Sequence, residues 1–106
     1  MQFVNLTPHR INVFDQSEEE VISIEPSGQV ARVETHQKEV GTLDGVPIFE
    51  QKVGEVKGLP EPEEEVIYIT SSFVEGEVSR EDVYSPGNLL RDDNGRPVGA
   101  IGLKQT

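Results

Sequence analysis

The sequence predicts a mostly β protein, a compact antiparallel sandwich or small barrel of hairpins with one short helix. Three observations lead there. Glu65 to Thr70 (Glu-Val-Ile-Tyr-Ile-Thr) is the most strand-like run, with Val66 and Tyr68 on one face and Ile67 and Ile69 on the other. Apolar residues on both faces place it buried between layers. Asp44-Gly45 and Asn94-Gly95 each sit between alternating segments, the favoured signature of a tight hairpin turn. Helical periodicity is confined to one stretch after residue 71, so there are too few helices for the crossovers of a parallel α/β sheet.

Taken in order, Phe3–Leu6 is the first strand, interrupted at Thr7-Pro8 because proline lacks an N–H and restricts its predecessor. Arg10–Phe14 alternates again, with Ile11 and Val13 on one face. Asp15–Glu20 is a charged turn. Val21–Glu25 and Gln29–Glu34 read as a hairpin around Pro26-Ser27-Gly28. Glu39–Leu43 and Val46–Lys52 flank Asp44-Gly45, and Pro47 marks an edge position. Gly54–Glu65, with Gly58, Pro60, Pro62 and a glutamate run, reads as an exposed loop. Ser72-Phe73-Val74-Glu75 matches a helix capping box, and a helix of one to three turns is expected to end before Pro86. Asn94-Gly95 then joins Leu89–Asp92 to Pro97–Leu103, with Val98 and Ile101 as core candidates.

The 106 residues suggest a single domain, 1–106. A chain of this size buries roughly two-thirds of its unfolded surface. With 34% hydrophobic residues and no Trp, its core is thin or completed by a second copy, so a homo-oligomer is among the expected partners. The net charge is −11. Residues 1–78 hold five basic and sixteen acidic residues, whereas residues 79–106 hold four of each. The acidic part repels nucleic-acid phosphates and anionic membranes, so neither direct nucleic-acid binding nor a membrane partner is expected. There is no Cys, the N-terminus lacks a signal-peptide pattern, and no apolar run approaches the roughly 20 residues of a spanning helix. A cytoplasmic location is the expectation, the host cytoplasm if the protein is phage-encoded.

Two polar clusters are candidate binding sites. In the first, Asn5, Thr7, His9 and Arg10 offer donors around a strand break. The competing reading is that Asn5 and Thr7 bond the kinked backbone. In the second, Arg80 and Arg91 can grip a phosphate or carboxylate bidentately while Gly87 and Asn88 allow close backbone approach. The competing reading there is a turn with surface Arg–Asp pairs. No catalytic residue, metal site or cofactor is expected. His9 and His36 lack metal spacing, and no phosphate loop, dinucleotide fingerprint or nucleophile motif is present.

Asn5-Leu6-Thr7-Pro8-His9 resembles the opening of a family of small phage and prophage proteins. Gly58 to Pro62, Val66 to Ser72, Arg80 to Val83, Pro86-Gly87 and Arg91 to Arg96 are similar to the rest of that pattern, which touches most of the chain. The resemblance implies a phage source and little mechanism. Small non-enzymatic phage proteins sequester host defence signals, block host proteins or build the virion. The expectation is a non-enzymatic binding protein that sequesters a small anionic or nucleotide ligand such as a defence signal. The alternatives are an interaction or virion protein working through protein contacts, and an acidic mimic of nucleic acid.

Overall fold

The computed structural model describes residues 1–106. Eight strands and one short helix run in the order β1 (Gln2–Asn5), β2 (Ile11–Phe14), β3 (Glu20–Ile24), β4 (Arg32–Leu43), β5 (Val46–Lys57), β6 (Val66–Ile69), α1 (Ser72–Gly76), β7 (Val83–Arg91) and β8 (Pro97–Lys104). Six strands form one sheet in the order β1-β6-β7-β8-β2-β3, and β4-β5 form a separate ribbon. The larger sheet curls until a bridge between Asn5 and Pro26 brings the end of β1 to the end of β3. The result is a nearly closed barrel carrying a hairpin arm.

The mostly β class with one short helix stands, while the pairing is richer than hairpin signals show. β1–β6, β6–β7 and β2–β8 are parallel; β2–β3, β7–β8 and β4–β5 are antiparallel. Turn residues report only neighbours in sequence, and the parallel ladders join segments far apart, such as Gln2 with Val66. Three local expectations are corrected for related reasons. Gln29–Glu34 does not return along β3, because Arg32 onward pairs with β5 instead. The helix cap is Ser71 rather than Ser72, with Ser71 Oγ accepting from Val74 N at 3.3 Å. Ser85-Pro86-Gly87-Asn88 is not a turn but the middle of β7. β6 pairs with β7 only at Val83 and Tyr84, so beyond them the flank of Pro86 has no ladder to break.

β6 is buried on both faces, as its sequence demands. Val66 and Tyr68 join Leu6, Ala31, Val74 and Val83 in one cluster. Ile69 joins Ile11, Val13 and Ile24 in the other, with Phe3 and Leu103 packed around them. Close strand approach also fixes two glycines. A Cβ on Gly87 would collide with the Ile101 carbonyl oxygen, and one on Gly99 with that of Asn12.

The ribbon is the outlier. Asp44 (φ 49°) and Gly45 (φ 81°) both take positive φ, the backbone of a two-residue primed turn. Each arm strand has 12 residues, about 40 Å of chain at strand rise. At the root, Val33 and Val56 pack on the Leu6 cluster. The Val30 carbonyl fills the space a Cβ on Gly58 (φ 81°) would need. Beyond the root the arm touches little else, and the radius of gyration is 16.8 Å where a compact chain of this length has about 13 Å.

Ile69 is fully buried at the barrel centre. Ile69→Ala is expected to cost about 2–5 kcal/mol, read as a lowered urea midpoint with an unchanged m-value.

Candidate functional site

The Asn5–Arg10 segment is a hydrogen-bonded knot. Asn5 is buried, and its Nδ2 donates to the His9 carbonyl (2.7 Å) and the Ile24 carbonyl (3.0 Å). Its Oδ1 accepts from Thr7 N (2.9 Å) and Thr7 Oγ1 (2.7 Å). All four positions of the carboxamide are thereby used. Leu6, between them, donates its N–H to the Ile69 carbonyl and accepts from Ala31 N. Asn5 and Thr7 therefore have no spare donors for a ligand. His9 and Arg10 are exposed, and Arg10 Nε donates to Glu25 Oε1.

The arginines do not gather into one recess. Arg80 Nε and Nη2 hold both oxygens of Asp82 (2.9 and 2.6 Å), and Nη1 donates to the Pro60 carbonyl (2.8 Å). The guanidinium carbon lies 5.8 Å from the centre of the Tyr68 ring. The hydrogen bonds from Arg80 hold the Asp82 carboxyl below its usual range, outweighing burial. Burial pushes the Tyr68 phenol up, and its hydroxyl donates to the Glu61 carbonyl at 3.1 Å. Arg91 lies at the other end of β7 and bonds the Gly95 carbonyl in its own hairpin (2.8 Å). The length of β7 between them is about 26 Å at strand rise. Arg80 is thus a brace, Arg91 a hairpin staple, and Gly87 an accommodation of β8 rather than of a ligand.

Near Arg80 a polar recess of about 300 Å³ is lined by Glu75, Ser79, Arg80, Gln105 and Thr106 among others. Glu75 closes one side. Burial is the largest influence on its carboxyl and pushes it up. The Thr106 N–H and hydroxyl (both 2.7 Å), the Ser85 hydroxyl and the Lys104 charge together outweigh it, so the net direction is down. Gln105 Nε2 lies 3.0–3.2 Å from the carbonyls of Arg80, Glu81 and Val83. These contacts fasten the last residues across α1 and the start of β7.

One concavity does join residues from both predicted clusters. A groove of about 450 Å³ runs between β2, β7 and β8, with His9 and Arg10 beside Pro86, Gly87, Leu89 and Val98. Asn88 lies on the same strand, exposed and in register with Ile101, without lining the groove. Apart from His9, Arg10 and Asn12 the lining is apolar side chain and glycine, a surface suited to apolar groups more than to a phosphate.

Sequence reasoning missed the arm as a site. Val40, Leu43, Val46, Ile48, Phe49 and Val53 are all exposed on it. Val40, Leu43 and Ile48 surround a notch of about 250 Å³ above Gly41. Lower down the shaft both faces are polar, since the register pairs Lys38 with Glu50, Gln37 with Gln51 and His36 with Lys52. That two-sided polarity was readable in the sequence and marks a ribbon that lies on no core. No three His, Asp or Glu side chains are grouped to hold a metal ion, and no helix is long and apolar enough to cross a membrane. No protein-family model, curated protein or solved structure matches the chain.

Two outcomes follow for the knot and the latch. Asn5→Ala strands the His9 and Ile24 carbonyls and is expected to cost about 2–4 kcal/mol, whereas Thr7→Ser, which keeps the hydroxyl, costs under about 1 kcal/mol by urea denaturation. Glu75 is lowered in the folded chain, so its contribution is present above the ordinary value of 4.5 and is lost as pH falls through the folded value. In a pH series of melts, Glu75→Gln should lower stability at neutral pH and flatten the loss seen below pH 4.5.

Proposed function

We propose that this is a non-enzymatic protein–protein interaction protein whose working part is the β4–β5 arm, the interaction alternative raised by the sequence. The observation that carries the reading is a polar shaft that holds an apolar tip away from the body. A two-stranded hairpin is marginal by itself in water, and Leu43 at its tip is 68% exposed. Burying one Leu, Val, Ile or Phe side chain is worth about 1.5–3 kcal/mol. The five apolar tip residues are 37–68% exposed, so burying the remainder is worth about 4–8 kcal/mol, within the lower half of an association cost of roughly 4–15 kcal/mol.

Sequestration of an anionic or nucleotide ligand has lost its main support, because the guanidinium groups are separated and already bonded. The acidic-mimic reading gains nothing from the arm, where Arg32–Lys57 carries four basic and five acidic residues.

The test is retention of binding partners by immobilised protein, comparing wild type with the double variant Leu43→Asp, Phe49→Ser. Wild type should retain a protein that the variant loses, while the two melt within a few degrees of each other. Identical retention by both would remove the arm from the reading. Heat on titration with cyclic or ADP-ribose-type nucleotides, absent in Arg10→Ala, would return it to a small ligand.

A further inference from the structure

Building on the interaction reading, we propose that the arm tip of one copy seats in the β2–β7–β8 groove of a second copy, linking chains head to tail. The tip and the groove are two apolar features left open on the molecule, beside scattered exposed residues such as Val21 and Phe73. The tip carries Val40, Leu43, Val46, Ile48 and Phe49, all exposed; the groove is walled by Pro86, Leu89, Pro97 and Val98, and Leu89 is 54% exposed.

Charge favours this pairing over other contacts between copies. Arm residues Arg32–Lys57 sum to −1, with four basic and five acidic residues. The rest of the chain sums to −10, with five basic and fifteen acidic residues. Body against body is repulsive, whereas the arm approaches an acidic body without that cost. Within residues 40–49 the only charge is Asp44, at the turn. The groove mouth holds His9 and Arg10. An inserted tip brings its single carboxylate beside Arg10, whose Nε is already bonded to Glu25, so apolar side chains and not an ion pair carry the contact.

The exposed area shows how far the tip stands free to reach a second copy. The chain exposes 7453 Å², against about 5,900 Å² for a compact folded monomer of its mass. The excess, roughly 1,600 Å², reflects a ribbon that stands clear of the body with shaft and tip uncovered on both faces. Because tip and groove are different surfaces, the contact is heterologous and generates a ring, or a filament if the rotation does not close.

The experiment is light scattering on size-separated protein with two single-sided variants, Leu43→Asp at the tip and Leu89→Asp in the groove. Both positions are exposed, so the fold is preserved, which circular dichroism confirms. Wild type should run above 11.7 kDa, the mass of one chain, and each variant at that mass. An equimolar mixture of the two should give a 1:1 dimer and nothing larger, since one intact tip meets one intact groove. A monomeric wild type, or a mixture that stays monomeric, overturns the proposal. So does a Leu89→Asp chain that assembles like wild type, which would mean tip against tip. If wild type is monomeric yet still retains a foreign protein through Leu43 and Phe49, the second-copy inference fails alone. If the tip changes alter neither assembly nor retention, the arm reading fails with it.

Discussion

The barrel depends on one buried carboxamide. Asn5 ends β1, and its side chain ties the His9 turn to the last residue of β3 through the Ile24 carbonyl. The seam between β1 and β3 has a single backbone bridge, so side-chain bonds take over where the ladder runs out. Fixing that seam sets Leu6 into its cluster and Ala31 beneath it. Ala31 immediately precedes β4, so the launching point of the arm is set by the same knot. The Asn-Leu-Thr-Pro-His stretch therefore reads as architecture, and its one indirect functional effect is to place His9 and Arg10 at the mouth of the groove.

The chain divides its chemistry between two parts. The body is strongly acidic and internally braced; Arg80 with Asp82 and Glu75 with Thr106 are paired within it. The arm is nearly neutral, polar along its shaft and apolar at its end. Solubility and stickiness are thus assigned to different surfaces. An apolar tip on a neutral body would risk indiscriminate contact, while here the surrounding charge limits which encounters persist. The exposed pair Arg10–Glu25 contributes little to holding the body together.

Much of the scaffold was legible in the sequence. Period-two alternation over Val66–Ile69 marked a strand buried on both faces, and Asp44-Gly45 marked its hairpin, because both signals are local. The β1–β6 and β2–β8 ladders were not legible, since no turn residue records a partner that lies more than sixty positions away. Pro86 and Gly87 suggested a turn on composition, yet sheet context converts them to strand: Pro86 where β6 has ended, Gly87 where β8 passes close. The candidate site was legible only in part. His9, Arg10 and Gly87 do share a groove, whereas Arg80 and Arg91 were grouped by residue type although β7 separates them.

The topology also has a temporal side. The arm is a local hairpin, able to close within microseconds once Lys57 exists. The barrel cannot close until β8 reaches β2, because Val13 pairs with Ala100 and Phe14 with Ile101. During synthesis both strands of the ribbon are therefore present, able to pair only marginally, while β1, β2 and β3 still wait for the strands that separate them in the sheet. Because β8 follows the arm in the chain and pairs with both β2 and β7, the arm is made well before the groove between those strands can assemble.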